Sequence, residues 1–155
     1  MGMGKLARGF NGEYKKTYKP LIAWVICYPL INIVIIMAID RLSPLTKKMS
    51  VKTSALFSLI FMVISIYILM LIIYKGEYIY WINGGPNFKQ AQEMTSGERK
   101  EYAGKYLAIF YKVMIVTFLY GFISLILVLP SWLDVILITL FVVIPSFSTM
   151  WIRFD

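Results

Sequence analysis

The sequence predicts an all-α, polytopic membrane protein with four transmembrane helices and both termini cytoplasmic. Three observations carry that expectation. Four apolar runs, 21–39, 55–74, 107–129 and 133–151, are 19, 20, 23 and 19 residues long, and a helix rising about 1.5 Å per residue needs roughly 20 residues to cross the hydrocarbon core. None of the runs alternates apolar with polar residues, as a barrel strand would. Lysine and arginine are divided unevenly between the connecting segments, and cationic loops beside a crossing tend to stay in the cytoplasm.

Residues 1–19 form a basic arm ahead of a single four-helix transmembrane domain, 20–155. The arm carries Lys5, Arg8, Lys15, Lys16 and Lys19, interleaved with Leu6, Phe10, Tyr14 and Tyr18 at a spacing of four. If helical, it would lie flat on the bilayer, its cations against an anionic inner leaflet. Gly9 and Gly12 weaken such a helix, and the alternative is a solvated arm that only enforces topology. Membrane orientation accounts for the net charge of +8, so no nucleic-acid partner is expected.

The first run holds eleven Leu, Ile or Val residues, which together favour insertion by roughly 3 to 7 kcal/mol. Asn32 and Pro29 subtract from that without reversing it. The run exceeds the roughly 7 to 15 residues of a secretory signal core, and 37–41 offers no small-x-small cleavage site, so it is expected to remain as the first span. The arm, loop 75–106 and the tail after 151 carry eleven cations, against four in loop 40–54 and none in 130–132. The expected location is therefore the plasma membrane, with both termini inside. Trp24, Tyr74, Tyr78, Tyr80, Trp81, Tyr106 and Trp151 fall where the inner headgroups would be, and Trp132 marks the outer side.

Loop 75–106 is the longest polar stretch. Asn83-Gly84-Gly85-Pro86 reads as a turn. Thr95-Ser96-Gly97-Glu98 fits a capping box, with Thr95 as N-cap and Glu98 reaching back. The helix it starts can continue through Tyr102, Tyr106 and Phe110 into the third span, where Lys112 would extend back toward the headgroups. Gly84, Gly85, Thr95, Glu98, Arg99 and Lys100 are candidates for docking a protein partner; the plain alternative is a well-made helix start.

In the spans, Ser58, Ser65, Thr117, Gly121 and Ser124 bring small and hydroxyl-bearing residues to helical spacing, which suits close helix packing. The competing reading is a hydroxyl-lined pore built from several copies. Pro29 and Pro145 free the carbonyls of Val25 and Phe141, so kinks are expected there. Asp134, near the outer end of the fourth run, is expected to act on the positive end of its helix. Lone Cys27 reads as a packing residue.

The chain has no histidine and one cysteine, so a bound transition metal or other cofactor and a Ser-His or Cys-His pair are not expected. Glu77, Glu93, Glu98 and Glu101 read as ordinary loop and helix-start charges, and no mid-span acid suggests proton coupling. An enzyme is not expected.

The order Lys75-Gly76, Tyr78, Gly84, then 94–102 and Leu107, resembles the cytoplasmic loop of a family of small membrane proteins of low-GC Gram-positive bacteria with no assigned activity. The resemblance covers about residues 70–128. The chain departs from that pattern in a longer insert, 86–93, and in having two spans before the loop. The resemblance implies a bacterial membrane protein and transfers no site residues. Two readings of function remain: a non-catalytic interaction, accessory, immunity or regulatory protein, and an oligomeric small channel or transporter.

Overall fold

The computed structural model describes residues 14–42, 51–149 and 152. Lys5 and Arg8 of the arm, most of loop 40–54 and Trp151 lie outside the described residues. Among the described residues five helices follow in order: α1 (Lys19–Leu42), α2 (Val51–Gly76), α3 (Phe88–Glu93), α4 (Ser96–Ile126) and α5 (Ser131–Thr149), with a single 3₁₀ turn at Ile79–Trp81 between α2 and α3. No strand occurs among the described residues, and α1, α2, α4 and α5 are each long and apolar enough to cross a membrane. Their exposed faces are almost wholly hydrocarbon, including Leu119, Phe122, Ile126 and Phe147. That is the surface a bilayer covers, because lipid rewards apolar contact and backbone groups satisfied within the helix. The chain is an integral membrane protein.

Helices α2 and α4 form the central pair, α5 packs on both, and α1 leans on α2. Leu56 and Val63 of α2, Val113 of α4 and Ile138 of α5 are buried where the three helices meet. Gly121 makes the close approach possible: a Cβ there would stand 2.7 Å from Ile60 Cδ1. Helix α1 is attached by two polar links to α2. Ser58 Oγ donates to Asn32 Oδ1 at 3.1 Å, and Trp24 Nε1 donates to the Ser65 carbonyl at 2.9 Å. Both α1 and α5 continue through their internal prolines, Pro29 and Pro145.

The third span is longer toward the loop than its apolar run, because α4 begins at Ser96, and it stops at Ile126 rather than 129. Lys52, counted above in loop 40–54, lies in the first turn of α2. Residues 15–18 are not helical, so an in-plane helix does not reach through Tyr14 and Tyr18. The reason is that Tyr14 is buried against loop 75–106 instead of facing lipid.

Candidate functional site

Loop 75–106 folds back on the helix ends as a compact cap, which we treat as the candidate site. Its first piece is the end of α2. Glu77 adopts a left-handed backbone (φ 59°), and the Tyr78 N–H donates to the Ile73 carbonyl at 3.0 Å. This is the bond that closes a helix around a left-handed residue, a position glycine usually takes because a Cβ there costs about 1–2 kcal/mol. Gly76 immediately before it leaves room for the Tyr78 ring, which a Cβ would overlap. Tyr78 then stacks on Trp81 with centroids 4.3 Å apart.

A turn follows in which the Gly85 N–H donates to the Ile82 carbonyl at 3.0 Å, with Gly84 at φ 76°. A positive angle at the third position of a turn calls for glycine. Asn87 caps α3: its Oδ1 accepts from the Gln90 N–H at 3.0 Å while Gln90 Oε1 accepts from the Asn87 N–H at 2.8 Å. Thr95 caps α4 in the same way. The Thr95 N–H donates to Glu98 Oε2 at 2.6 Å, and the Glu98 N–H donates to Thr95 Oγ1 at 3.3 Å. These bonds from Thr95 hold the Glu98 carboxyl below its ordinary range.

The centre of the cap is ionic. Arg99 Nε donates to Glu77 Oε2 at 2.8 Å, and both side chains are almost fully buried, 6% and 3% exposed. Arg99 Nη1 also donates to the carbonyls of Ala91, at 3.0 Å, and Met94. Ser96 Oγ donates to Glu77 Oε1 at 2.6 Å. Both charges thus keep hydrogen-bonded partners, the condition under which a buried pair is tolerable. The Tyr14 hydroxyl donates to the Glu77 carbonyl, its ring lies 4.3 Å from the Arg99 guanidinium carbon and stacks on Phe88. The arm is further tied by Thr17, whose carbonyl accepts from the Tyr80 hydroxyl at 2.8 Å and from Trp81 Nε1 at 3.1 Å. Burial raises the Tyr14, Tyr78 and Tyr80 hydroxyls above the ordinary phenol range, so all three are neutral at physiological pH, and Tyr14 and Tyr80 act as donors.

Several sequence expectations change here. Glu77 is not an ordinary loop charge, because it is enclosed with Arg99. Arg99, a docking candidate, turns inward and offers nothing to a partner. Gly84, Thr95, Glu98 and Lys100 are exposed, and Gly85 is half-buried, where an added Cβ would stand 3.2 Å from the Tyr102 hydroxyl. Tyr78 and Tyr106 are core residues of the cap and not a ring facing headgroups. Lys15, Lys16 and Lys19 are exposed where the arm meets α1.

A second polar cluster sits at the opposite end of the bundle. Asp134 lies in the first turn of α5, but its side chain bonds across to α4 and does not cap its own helix. Its Oδ1 accepts from Tyr120 OH at 2.8 Å and Ser124 Oγ at 2.5 Å, while Oδ2 has no partner. Lys52 Nζ donates to the Ser124 carbonyl at 3.0 Å. Thr117, Gly121 and Ser124 all face inward against the other helices, with Thr117 Oγ1 buried and unpartnered. Ser65 Oγ bonds the Met62 carbonyl of its own helix. Among the described residues no group of His, Cys, Asp or Glu is arranged to hold a metal.

Comparison with models of known protein families, with curated proteins and with solved structures finds no match to this chain.

Proposed function

We propose that this integral membrane protein acts without catalysis, as an accessory, immunity or regulatory subunit that presents its cap to a protein partner at the cytoplasmic face of the cell membrane. The observation that carries the reading is the inward ionic lock. Glu77 and Arg99 hold the end of α2, the whole of α3 and the start of α4 in one arrangement. The outward residues Lys89, Gln92, Glu93, Lys100 and Glu101 are exposed on that frame. A polar surface already ordered before binding loses less conformational freedom when a partner arrives. Orientation follows from the eleven-to-four division of cations, and Lys52, one of the four, is engaged by the Ser124 carbonyl. A hydroxyl-lined pore is the weaker reading, since Ser58, Ser65 and Ser124 bond within or between helices of one chain.

The test combines two measurements. Full-length protein is cross-linked in native membranes and purified, and associated chains are quantified, for wild type and for Lys89→Glu with Glu93→Lys, a pair that leaves the Lys100 ammonium 3.9 Å from Glu77 Oε1 in place. A stoichiometric partner that is lost in the double variant, with thermal stability unchanged, is the expected result. Ion flux through liposomes holding the wild-type protein alone, altered by Thr117→Val, would replace this reading with the pore.

A further inference from the structure

Near the cap, a groove of about 390 Å³ lies between α4 and α5. The two helices are linked there by Tyr106 OH, which donates to the Thr149 carbonyl at 3.3 Å. The groove opens just below that contact. Its walls are Ile109, Val113 and Val116 of α4 and Leu140, Phe141 and Ile144 of α5. Ser148 lies at its edge, but its hydroxyl donates to the Ile144 carbonyl at 3.1 Å and is not free for a ligand. One charged group belongs to the groove, Lys112. It is exposed, and none of the three ion pairs among the described residues includes it.

We propose that this groove is a binding site for an anionic phospholipid of the cap-side leaflet, with one acyl chain between α4 and α5 and the phosphodiester on Lys112. A cation set into an apolar span needs a reason, because it is costly to hold there. Lys112 lies six residues past Tyr106, about 9 Å along the helix, and its flexible stem can bring the ammonium back to phosphate level. An anion for it must come attached to hydrocarbon, since the walls beneath are wholly apolar. A phospholipid supplies both halves, and basic pockets between transmembrane helices at the cytoplasmic side suit acidic headgroups. A second helix fits less well. Helices associate in lipid through small residues that let backbones approach, whereas this groove is walled by branched and aromatic side chains. Lys105, two turns earlier on the same face of α4, pairs with Glu101 at 3.4 Å, which leaves Lys112 as the cation for the headgroup.

The experiment is native mass spectrometry of the full chain released from mixed micelles of phosphatidylglycerol and phosphatidylcholine. Wild type should retain one phosphatidylglycerol in preference to phosphatidylcholine. Lys112→Gln should weaken phosphatidylglycerol retention about fivefold, the worth of one lysine near an anionic surface, with phosphatidylcholine unchanged. Lys112→Arg should keep the preference, and Ile144→Trp, which fills the groove, should lower retention of both lipids. Inorganic phosphate should not displace the lipid. Undiminished preference in Lys112→Gln overturns the proposal, as does displacement by phosphate, which would indicate a free-anion site. A wild-type dimer in light scattering that Leu140→Trp dissociates would assign the groove to a second copy instead.

Discussion

The two central helices end in the same backbone device at opposite ends of the molecule, and only one of the ends is locked. At the end of α2, Glu77 is left-handed and the Tyr78 N–H closes on Ile73. At the end of α4, Val128 is left-handed (φ 50°), and the Leu129 N–H closes on the Ser124 carbonyl at 3.1 Å. Neither position has the glycine that the geometry favours. Glu77 is enclosed, and its carboxylate bonds Arg99 and Ser96. Val128 is 75% exposed, a β-branched residue at an angle where such side chains are outliers. The nearby carboxylate, Asp134, is buried with one oxygen unpartnered. A strained angle is thus compensated at the cap by the strained residue's own side chain, which binds other elements together, whereas at the far end the exposed Val128 side chain binds nothing and the links run through Lys52, Ser124 and Asp134.

The largest effect should come from opening the lock. Arg99→Met leaves the buried Glu77 carboxylate with only the half-exposed Lys100 ammonium, 3.9 Å away, as a cation and should cost up to about 3–5 kcal/mol, read as a loss of thermal stability of the protein in detergent. Asp134→Asn at the far end should cost less than about 1.5 kcal/mol, since the amide oxygen can still accept from Tyr120 and Ser124. Equal losses in the two variants would erase the distinction between the ends.

Glu77→Gly sharpens the same point by changing sign with context. Glycine relieves about 1–2 kcal/mol of left-handed strain but strands the Arg99 guanidinium, at about 3–5 kcal/mol, so the single variant should lose about 1–4 kcal/mol. In an Arg99→Met background the same change removes a buried carboxylate whose remaining partners are only Ser96 and the half-exposed Lys100, as well as the strain, and should be stabilising. Thermal unfolding of the four proteins of this cycle measures the reversal. A Glu77→Gly variant that is more stable than wild type would mean that the ion pair contributes nothing.

The four spans were legible because each is a continuous apolar run, and insertion depends on summed hydropathy rather than on any partner. The start of α4 was legible too, since a capping box is a local pattern: Thr95 and Glu98 need only each other. The matching box at Asn87 and Gln90 has the same spacing and could have been read. The lock was not legible. Glu77 lies 22 residues from Arg99, and no local pattern separates it from Glu93. The available hint was its neighbourhood, an acid followed directly by Tyr78-Ile79-Tyr80-Trp81 in a segment otherwise polar. Tyr14 was read by its spacing along the arm, when its place is set by a contact 63 residues away. Asp134 was found at the right helix end, but its hydroxyl partners Tyr120 and Ser124 stand on a neighbouring helix.

A smaller effect is expected where the cap meets water. Thr95→Ala should cost about 0.5–2 kcal/mol of local helix stability and raise amide exchange over 96–102. The Glu98 carboxyl, held below its ordinary range mainly by the Thr95 N–H, adds stability that is complete at neutral pH. Because the folded-state value is the lower one, that stability is lost as pH falls through it. Acidification should therefore raise exchange at the start of α4 in wild type and also in Thr95→Ala, which keeps the backbone N–H, and have little further effect in Glu98→Gln. Equal acid sensitivity in wild type and Glu98→Gln would place the titrating group elsewhere.

The smallest effect, and the only single-site gain, belongs to the far end. Val128→Gly removes about 1–2 kcal/mol of left-handed strain, against about 0.5–1 kcal/mol of extra backbone freedom lost on folding. The side chain is mostly exposed, so little packing is forfeited, and the net should be a stabilisation of up to about 1.5 kcal/mol. The gain depends on the Leu129 N–H keeping its bond to the Ser124 carbonyl, the oxygen that also receives Lys52. It should therefore persist in Lys52→Gln, which removes the ammonium but leaves the backbone bond in place. If Val128→Gly lowers thermal stability in both backgrounds, the helix does not end on a left-handed residue, and the two ends of the molecule differ in backbone as well as in side chains.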